Sequence, residues 1–173
     1  YTKENEDPMS EKQLHEAINS GDIEAVRSVI ADNPDAVNVK EEGALPIHTA
    51  LNLVAAKNSN HLEIARLLLP SDDKINDRDS HGMTPLHLNS LTGDKEMAEV
   101  LISAGADLNA RNPNDGSAPL HLAAMQGKDD LVGFLVERGA EIDARDKKYG
   151  ITALHFSAVQ GHTGTLKLLL SKG

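Results

Sequence analysis

The 173 residues contain no cysteine and no tryptophan, and only two phenylalanines and two tyrosines. Without cysteine there are no disulfides and no thiolate metal sites, which fits a reducing cytosol. With so few aromatics, the core has to be built from Leu, Ile, Val and Ala, a palette suited to closely packed helices. No apolar run approaches the length of a membrane span, and the opening residues do not read as a secretory leader. The first residue is Tyr rather than Met, so the sequence is expected to be part of a longer chain. Charge of one sign is also scarce: 17 Lys and Arg stand against 27 Asp and Glu, a net charge of −10. Residues 1–43 carry eleven acids and four bases, which is −7 of that total. A polyanion such as DNA is repelled by this surface.

What the sequence has in abundance is itself. A four-residue pattern returns as Leu45-Pro46-Ile47-His48, Thr84-Pro85-Leu86-His87, Ala118-Pro119-Leu120-His121 and Thr152-Ala153-Leu154-His155. The histidines recur 39, 34 and 34 residues apart, and a worn copy lies 33 residues upstream at Leu14-His15. Six residues after most of them comes a glycine (Gly21, Gly93, Gly127, Gly161), and an apolar run follows each. Another glycine (Gly43, Gly82, Gly116, Gly150) precedes each complete pattern.

Each part has a physical role. Thr84 and Thr152 are placed to cap a helix start. Pro46, Pro85 and Pro119 suit its first turn, where a backbone N–H lacks a partner anyway. The mid-unit glycines end that helix in a left-handed turn. A second helix with apolar spacing of three and four follows, as at Leu131, Phe134 and Leu135. Gly105 and Gly139 stop it. An extended stretch then turns sharply at Gly43, Gly82, Gly116 or Gly150.

This unit resembles the ankyrin repeat. The resemblance covers about residues 10–173, with units at 10–42, 43–81, 82–115, 116–149 and 150–173, after an acidic tail at 1–9. It implies an all-α solenoid of stacked helix-turn-helix units with short β-hairpin connections. It also implies that His48, His87, His121 and His155 bridge the hydroxyl of the pattern and the neighbouring backbone. Equivalent positions on stacked helices lie roughly 8–10 Å apart, so these histidines form a column rather than a metal cluster. No phosphate loop, two-histidine zinc motif or defined triad is present. Neither catalysis nor a cofactor is expected.

Departures from the pattern are informative. Unit one has "ADNPDAVN" where a glycine stop belongs. Unit two carries a six-residue insertion inside "LNLVAAKNSN", expected to lengthen its inner helix through Ala55 and Ala56. Unit five lacks a polar outer helix, and the chain is expected to continue beyond Gly173. Lys40, Arg78, Arg111 and Arg145 form a column in which Glu41, Asp79 and Asp146 follow three of the bases. An ion-paired ladder is expected there, and a nucleic-acid stripe is disfavoured. Asn38, Asn76 and Asn109 form another column. It is expected to steady the hairpin turns, and the resemblance also raises asparagine hydroxylation.

Residues that vary between copies point to function. Leu91, Met125 and Val159 recur at intervals of 34 near the end of the inner helix, at an edge that the resemblance assigns to the concave face. Met83 and Ile151 follow turn glycines, and Tyr149 sits in a hairpin tip. Two roles are open to the apolar three: packing against neighbouring repeats, or meeting a partner. Tyr149 in a solvated turn has little core to fill and makes an interface anchor. The expected function is protein–protein recognition by a cytoplasmic monomer. The partner carries a basic region that meets the acidic N-terminal end, and neither membrane nor nucleic acid is involved. Two other readings stay open: a targeting or regulatory module of a larger enzyme or of an effector secreted into a host cytosol, and a structural spacer.

Overall fold

Pro85 shows how each inner helix begins. Its ring fixes φ, it has no N–H to strand, and Thr84 before it is extended, with φ −83° and ψ 164°. Helix α5 (Pro85–Thr92) therefore starts at the proline and ends at Gly93, whose φ of +86° closes a left-handed turn with its N–H on the Asn89 carbonyl, 2.9 Å away. The computed structural model describes residues 8–54, 59–71 and 73–173. Within them the other inner helices are α1 (Pro8–Ser20), α3 (Pro46–Val54), α7 (Pro119–Met125) and α9 (Ala153–Val159); α3 and α7 also open on a proline, whereas α9 opens at Ala153.

The outer helices are α2 (Ile23–Asp32), α4 (Ser59–Leu67), α6 (Lys95–Ser103), α8 (Asp129–Glu137) and α10 (Thr163–Lys172). Carboxylates start two of them. Asp22 accepts the Ala25 N–H at 3.0 Å, and Asp94 accepts the Met97 N–H at 2.6 Å. Apolar spacing of three and four turns one face of each helix inward, as with Met97, Ala98 and Leu101 in α6, and Leu131, Phe134 and Leu135 in α8.

The chain divides into two bodies, Tyr1–Lys74 and Ile75–Gly173. In the first, α1 packs on α2 and α3, and α4 packs on α2 and α3. A 3-10 turn at Pro34–Asn38 stands where a stop glycine was missing from the pattern, and it buries Ala36 and Val37. In the second body the inner helices stack as α5 on α7 on α9, and the outer ones as α6 on α8 on α10. Strand pairing among the described residues is confined to one bridge, Glu41 with Ala44. The fold is thus an all-α array of helix pairs, as the repeat pattern predicts.

The core matches the composition. Ile47, Leu51, Ile64, Leu86, Leu101, Leu131 and Leu135 are completely or almost completely buried. Each such aliphatic side chain contributes about 1.5–3 kcal/mol through its burial. Ala98, Ala123 and Ala124 are fully buried too and let neighbouring helices approach closely. Phe134 lies under the guanidinium of Arg138, 4.6 Å from its ring centre, and Arg138 also pairs with Glu99 at 2.7 Å. Similar pairs link other outer helices: Arg27 with Glu63 at 2.9 Å and Lys172 with Glu137 at 3.6 Å.

Helix α3 is nine residues long, against eight for α5 and seven each for α7 and α9. The lengthening expected of the insertion runs into residues 55–58, which lie outside the described residues.

Candidate protein-interaction surface

The histidine column is fully committed to holding backbone. His87 stands at the third position of α5, and its Nδ1 accepts the N–H of Thr84 at 3.3 Å. The Thr84 hydroxyl lies 2.8 Å from the same nitrogen and is 3.4 Å from the His87 N–H. This is a capping box in which histidine replaces the usual acidic or amide side chain. His121 repeats it on the Ala118 N–H at 3.0 Å, and His48 on the Leu45 N–H at 3.1 Å, where no hydroxyl is available. His155 does so on Thr152, but the Thr152 hydroxyl bonds the ring at 2.9 Å and makes no cap to the helix N–H groups.

With Nδ1 accepting, Nε2 carries the proton and donates. His87 Nε2 reaches the Ser117 carbonyl at 3.1 Å, and His121 Nε2 the Ala144 carbonyl at 2.8 Å. Burial pushes both rings below the ordinary histidine value, against the pull of those carbonyls. A ring whose basic nitrogen already holds a backbone N–H has no lone pair for a metal or for general-base work. The column ties its helices to their own caps, and His87 and His121 also tie theirs to the hairpin that follows.

His15, the worn copy, behaves differently. It lies in the middle of α1, where no cap exists, and its Nδ1 is 2.9 Å from Glu41. Among the described residues, no group of three His, Cys, Asp or Glu side chains is arranged to hold a metal. No helix among them is long and apolar enough to cross a membrane.

The four turn glycines all have positive φ: Gly43 at +85°, Gly82 at +77°, Gly116 at +74° and Gly150 at +66°. Gly116 is constrained twice, because a Cβ there would meet the Lys147 backbone nitrogen at 2.7 Å.

Two columns differ from expectation. Asp79 and Asp146 do not pair with the arginines before them. Both are buried and accept backbone N–H groups: Asp79 from His81 and Met83, each at 2.9 Å, and Asp146 from Tyr149 at 3.1 Å and Ile151 at 2.8 Å. Arg78 and Arg145 donate instead to the carbonyls of Gly82 at 3.0 Å and Gly150 at 2.7 Å, and Arg111 donates to that of Arg145. Successive side chains in an extended segment point to opposite sides, so neighbours in sequence are poor ion-pair partners. The asparagines steady the next repeat rather than their own turn. Asn38 accepts the Ser71 N–H at 2.9 Å, Asn76 that of Asp107 at 2.7 Å, and Asn109 that of Glu141 at 2.9 Å.

Asn112 escaped sequence reasoning. It occupies the column of Asp79 and Asp146, is buried, and reaches back to the His81 carbonyl at 3.1 Å. Its spacing of 33 and 34 from those two aspartates was the available signal.

The variable residues all lie in the second body. Leu91 and Met125 are half-buried, whereas Val159 is 79% exposed. Met83 and Ile151 are half-buried, and Met83 accepts a contact from Asn112 Nδ2 at 3.4 Å. Tyr149 is 64% exposed, with the Lys148 ammonium 5.0 Å from its ring centre. These side chains carry no arrangement of acid, base or nucleophile. They offer apolar and aromatic contact area.

A family model described as ankyrin repeats, in three copies, matches residues 14–112 and 109–173. Protein phosphatase 1 regulatory subunit 27 of Mus musculus is 35% identical over 100 residues, covering 57% of this chain and 60% of that protein. RelA-associated inhibitor of Mus musculus is 28% identical over 103 residues, covering 60% of this chain and 12% of that protein. Ankyrin repeat and SAM domain-containing protein 6 of Mus musculus is 31% identical over 100 residues, covering 57% and 11%. The chain thus spans at most 60% of the length of these relatives.

Proposed function

Because the chain belongs to the ankyrin-repeat family, we propose that it is a protein-recognition module with no chemistry of its own. The contact surface comprises Leu91, Met125 and Val159, with Met83, Ile151 and Tyr149 beside them. The observation that carries this is the division of labour within each repeat. The recurring positions spend their polar groups on backbone, while Leu91 and Met125 stay half-buried and Tyr149 keeps an aromatic ring 64% exposed. An exposed valine or tyrosine stabilises the free chain little and becomes useful when a partner covers it.

Names among the relatives favour the same class. One is a regulatory subunit of a phosphatase and another an inhibitor associated with RelA. For the N-terminal end we propose a basic partner region, because Glu16, Glu24, Asp32 and Glu42 are exposed there. Such a contact is weak and sensitive to salt.

Site-specific photo-crosslinking tests the surface. A crosslinking residue at position 125 or 149 should join a protein partner, while the same residue at exposed Ser103 on α6 should not. Met125→Glu and Tyr149→Ala should each weaken the captured complex by about 2 kcal/mol or more. Equal yields at all three positions would remove this surface. Full binding by both variants would move recognition elsewhere, first to the acidic end.

A further inference from the structure

Four hairpin turns connect the repeats, and their tips differ in charge. The first reads Lys40-Glu41-Glu42-Gly43, the second Arg78-Asp79-Ser80-His81-Gly82 and the third Arg111 through Gly116, with one acid and no second base. The fourth, Arg145-Asp146-Lys147-Lys148-Tyr149-Gly150, is the exception in a chain of net charge −10.

Its carboxylates face inward. Asp146 is buried and gives one oxygen to the N–H groups of Tyr149 and Ile151. Asp115, from the tip before it, binds the Ser117 N–H at 2.8 Å and hydroxyl at 2.7 Å. Burial works to raise the Asp115 pKa, but those two bonds outweigh it and hold the carboxyl below its usual value. The cations face outward: Arg145, Lys147 and Lys148 are all exposed, beside the exposed ring of Tyr149.

The tip is also preorganised. The Lys147 N–H donates to the Asp115 carbonyl at 2.7 Å, and Arg145 clamps the Gly150 carbonyl. Lys148 holds its ammonium 5.0 Å from the Tyr149 ring centre, within cation–π range. A site already held in shape gives up less conformational freedom on binding.

We propose that this tip, Lys147, Lys148 and Tyr149 with Arg145 at its base, docks an acidic peptide segment that carries an apolar or aromatic side chain among its carboxylates. The carboxylates meet the two lysines, and the apolar side chain lies against the tyrosine ring. A nucleic-acid strand fits less well, because its continuous run of phosphates needs an extended basic surface, and this tip offers only three bases in a chain of net charge −10. The site rests on the reading of the hairpin tips as part of the recognition surface, and it gives that surface a second charge polarity. A partner would present acid here and base at the N-terminal end.

The test is a backbone-amide NMR titration of the full chain with three probes. They are a pentapeptide of glutamates around a central phenylalanine, its lysine-for-glutamate counterpart, and a short oligothymidine. The glutamate peptide should shift the amides from Lys147 to Ile151 in a saturable way, with affinity falling at least about threefold as salt is raised from 50 to 200 mM. Lys147→Glu with Lys148→Glu should abolish those shifts, and Tyr149→Ala should weaken them about threefold or more. All these positions are exposed, so a dispersed spectrum will show that the variants remain folded. Equal shifts with the lysine peptide, stronger shifts with oligothymidine, or none at the tip would overturn the proposal. Shifts confined to Leu91, Met125 and Val159 would overturn the tip and leave the apolar surface standing. Shifts at the tip alone would support the tip, and the apolar surface is then decided by the crosslinking at position 125.

Discussion

The fourth and fifth repeats carry nearly the same grammar and differ sharply in what is covered. His121 is 1% exposed, whereas His155 is exposed although its ring caps the same backbone position. Leu122 and Ala124 are buried, while Phe156 is half-exposed and Ala158 exposed. Val159 has lost most of the cover that Met125 retains. The residue types do not explain this. Among the described residues the difference is a neighbour: α9 and α10 pack against α7 and α8, so the fourth repeat is covered on a side where none of them covers the fifth. In a repeat array each unit's stability is borrowed in part from the next one. Burial is therefore a property of position in the stack, and identical sequence patterns carry different energetic weight along it.

Substituting the turn glycines should break the comparison most. Gly116→Val combines a disfavoured positive φ with collision against the Lys147 backbone, whereas a Cβ at Gly150 meets nothing within 4 Å. Gly116→Val should cost about 3 kcal/mol or more, as strain and overpacking add. Gly150→Val should cost only the strain, about 1–3 kcal/mol. Urea unfolding followed by circular dichroism compares them directly, and equal losses would mean that the hairpin contact at Lys147 does not constrain the turn.

Removing the histidines should come next. His121→Ala leaves the Ala118 N–H and Ala144 carbonyl without their partner in a covered site, and about 2–3 kcal/mol should be lost. At His155 water can replace the ring, so His155→Ala should lose no more than about 1 kcal/mol. The thermal midpoints of the two variants should separate accordingly.

Proton linkage sharpens the same point. His87 and His121 bind protons less readily in the folded chain than in the unfolded one, because burial disfavours the charged ring. Their contribution is complete above the unfolded value of about 6.5 and is lost as pH falls from there toward the lowered folded values. Stability should therefore decline between pH ~7.5 and ~5.5, by at most about 1.4 kcal/mol per pH unit for each ring. His121→Gln should make the slope shallower. A slope that rises toward acid would contradict the buried neutral rings.

The smallest effect belongs to the outer helices. Arg138→Ala removes an exposed ion pair with Glu99 and a ring contact with Phe134, and should cost about 1 kcal/mol or less. A larger loss in unfolding experiments would show that the outer face holds the stack more strongly than its exposure allows.

Much of the fold was legible because proline, glycine and the histidine pattern act locally. Pro85 and Pro119 fix helix starts through their own φ, and Gly93 fixes an end through its own. The hydrogen-bond partners were less legible, since they depend on direction and on the neighbouring repeat. Arg78 beside Asp79 looked like an ion pair, but extended backbone sends them to opposite sides. Asn76 looked like a turn residue, but its carbonyl reaches Asp107, 31 residues on. For the candidate surface, Tyr149 could be read from its place in a turn. The half-burial of Leu91 and Met125 could not, because exposure is a tertiary property with no local signature.

Native-state hydrogen exchange at two amides tests most directly whether the histidine column is architecture whose weight is set by its neighbours. Ala118 N–H and Thr152 N–H both donate to a histidine Nδ1, at 3.0 and 3.3 Å, one in the covered repeat and one in the open repeat. Ala118 should exchange only through global opening, and Thr152 at least about tenfold faster through local opening. Equal protection of the two amides, or faster exchange at Ala118, would contradict the account.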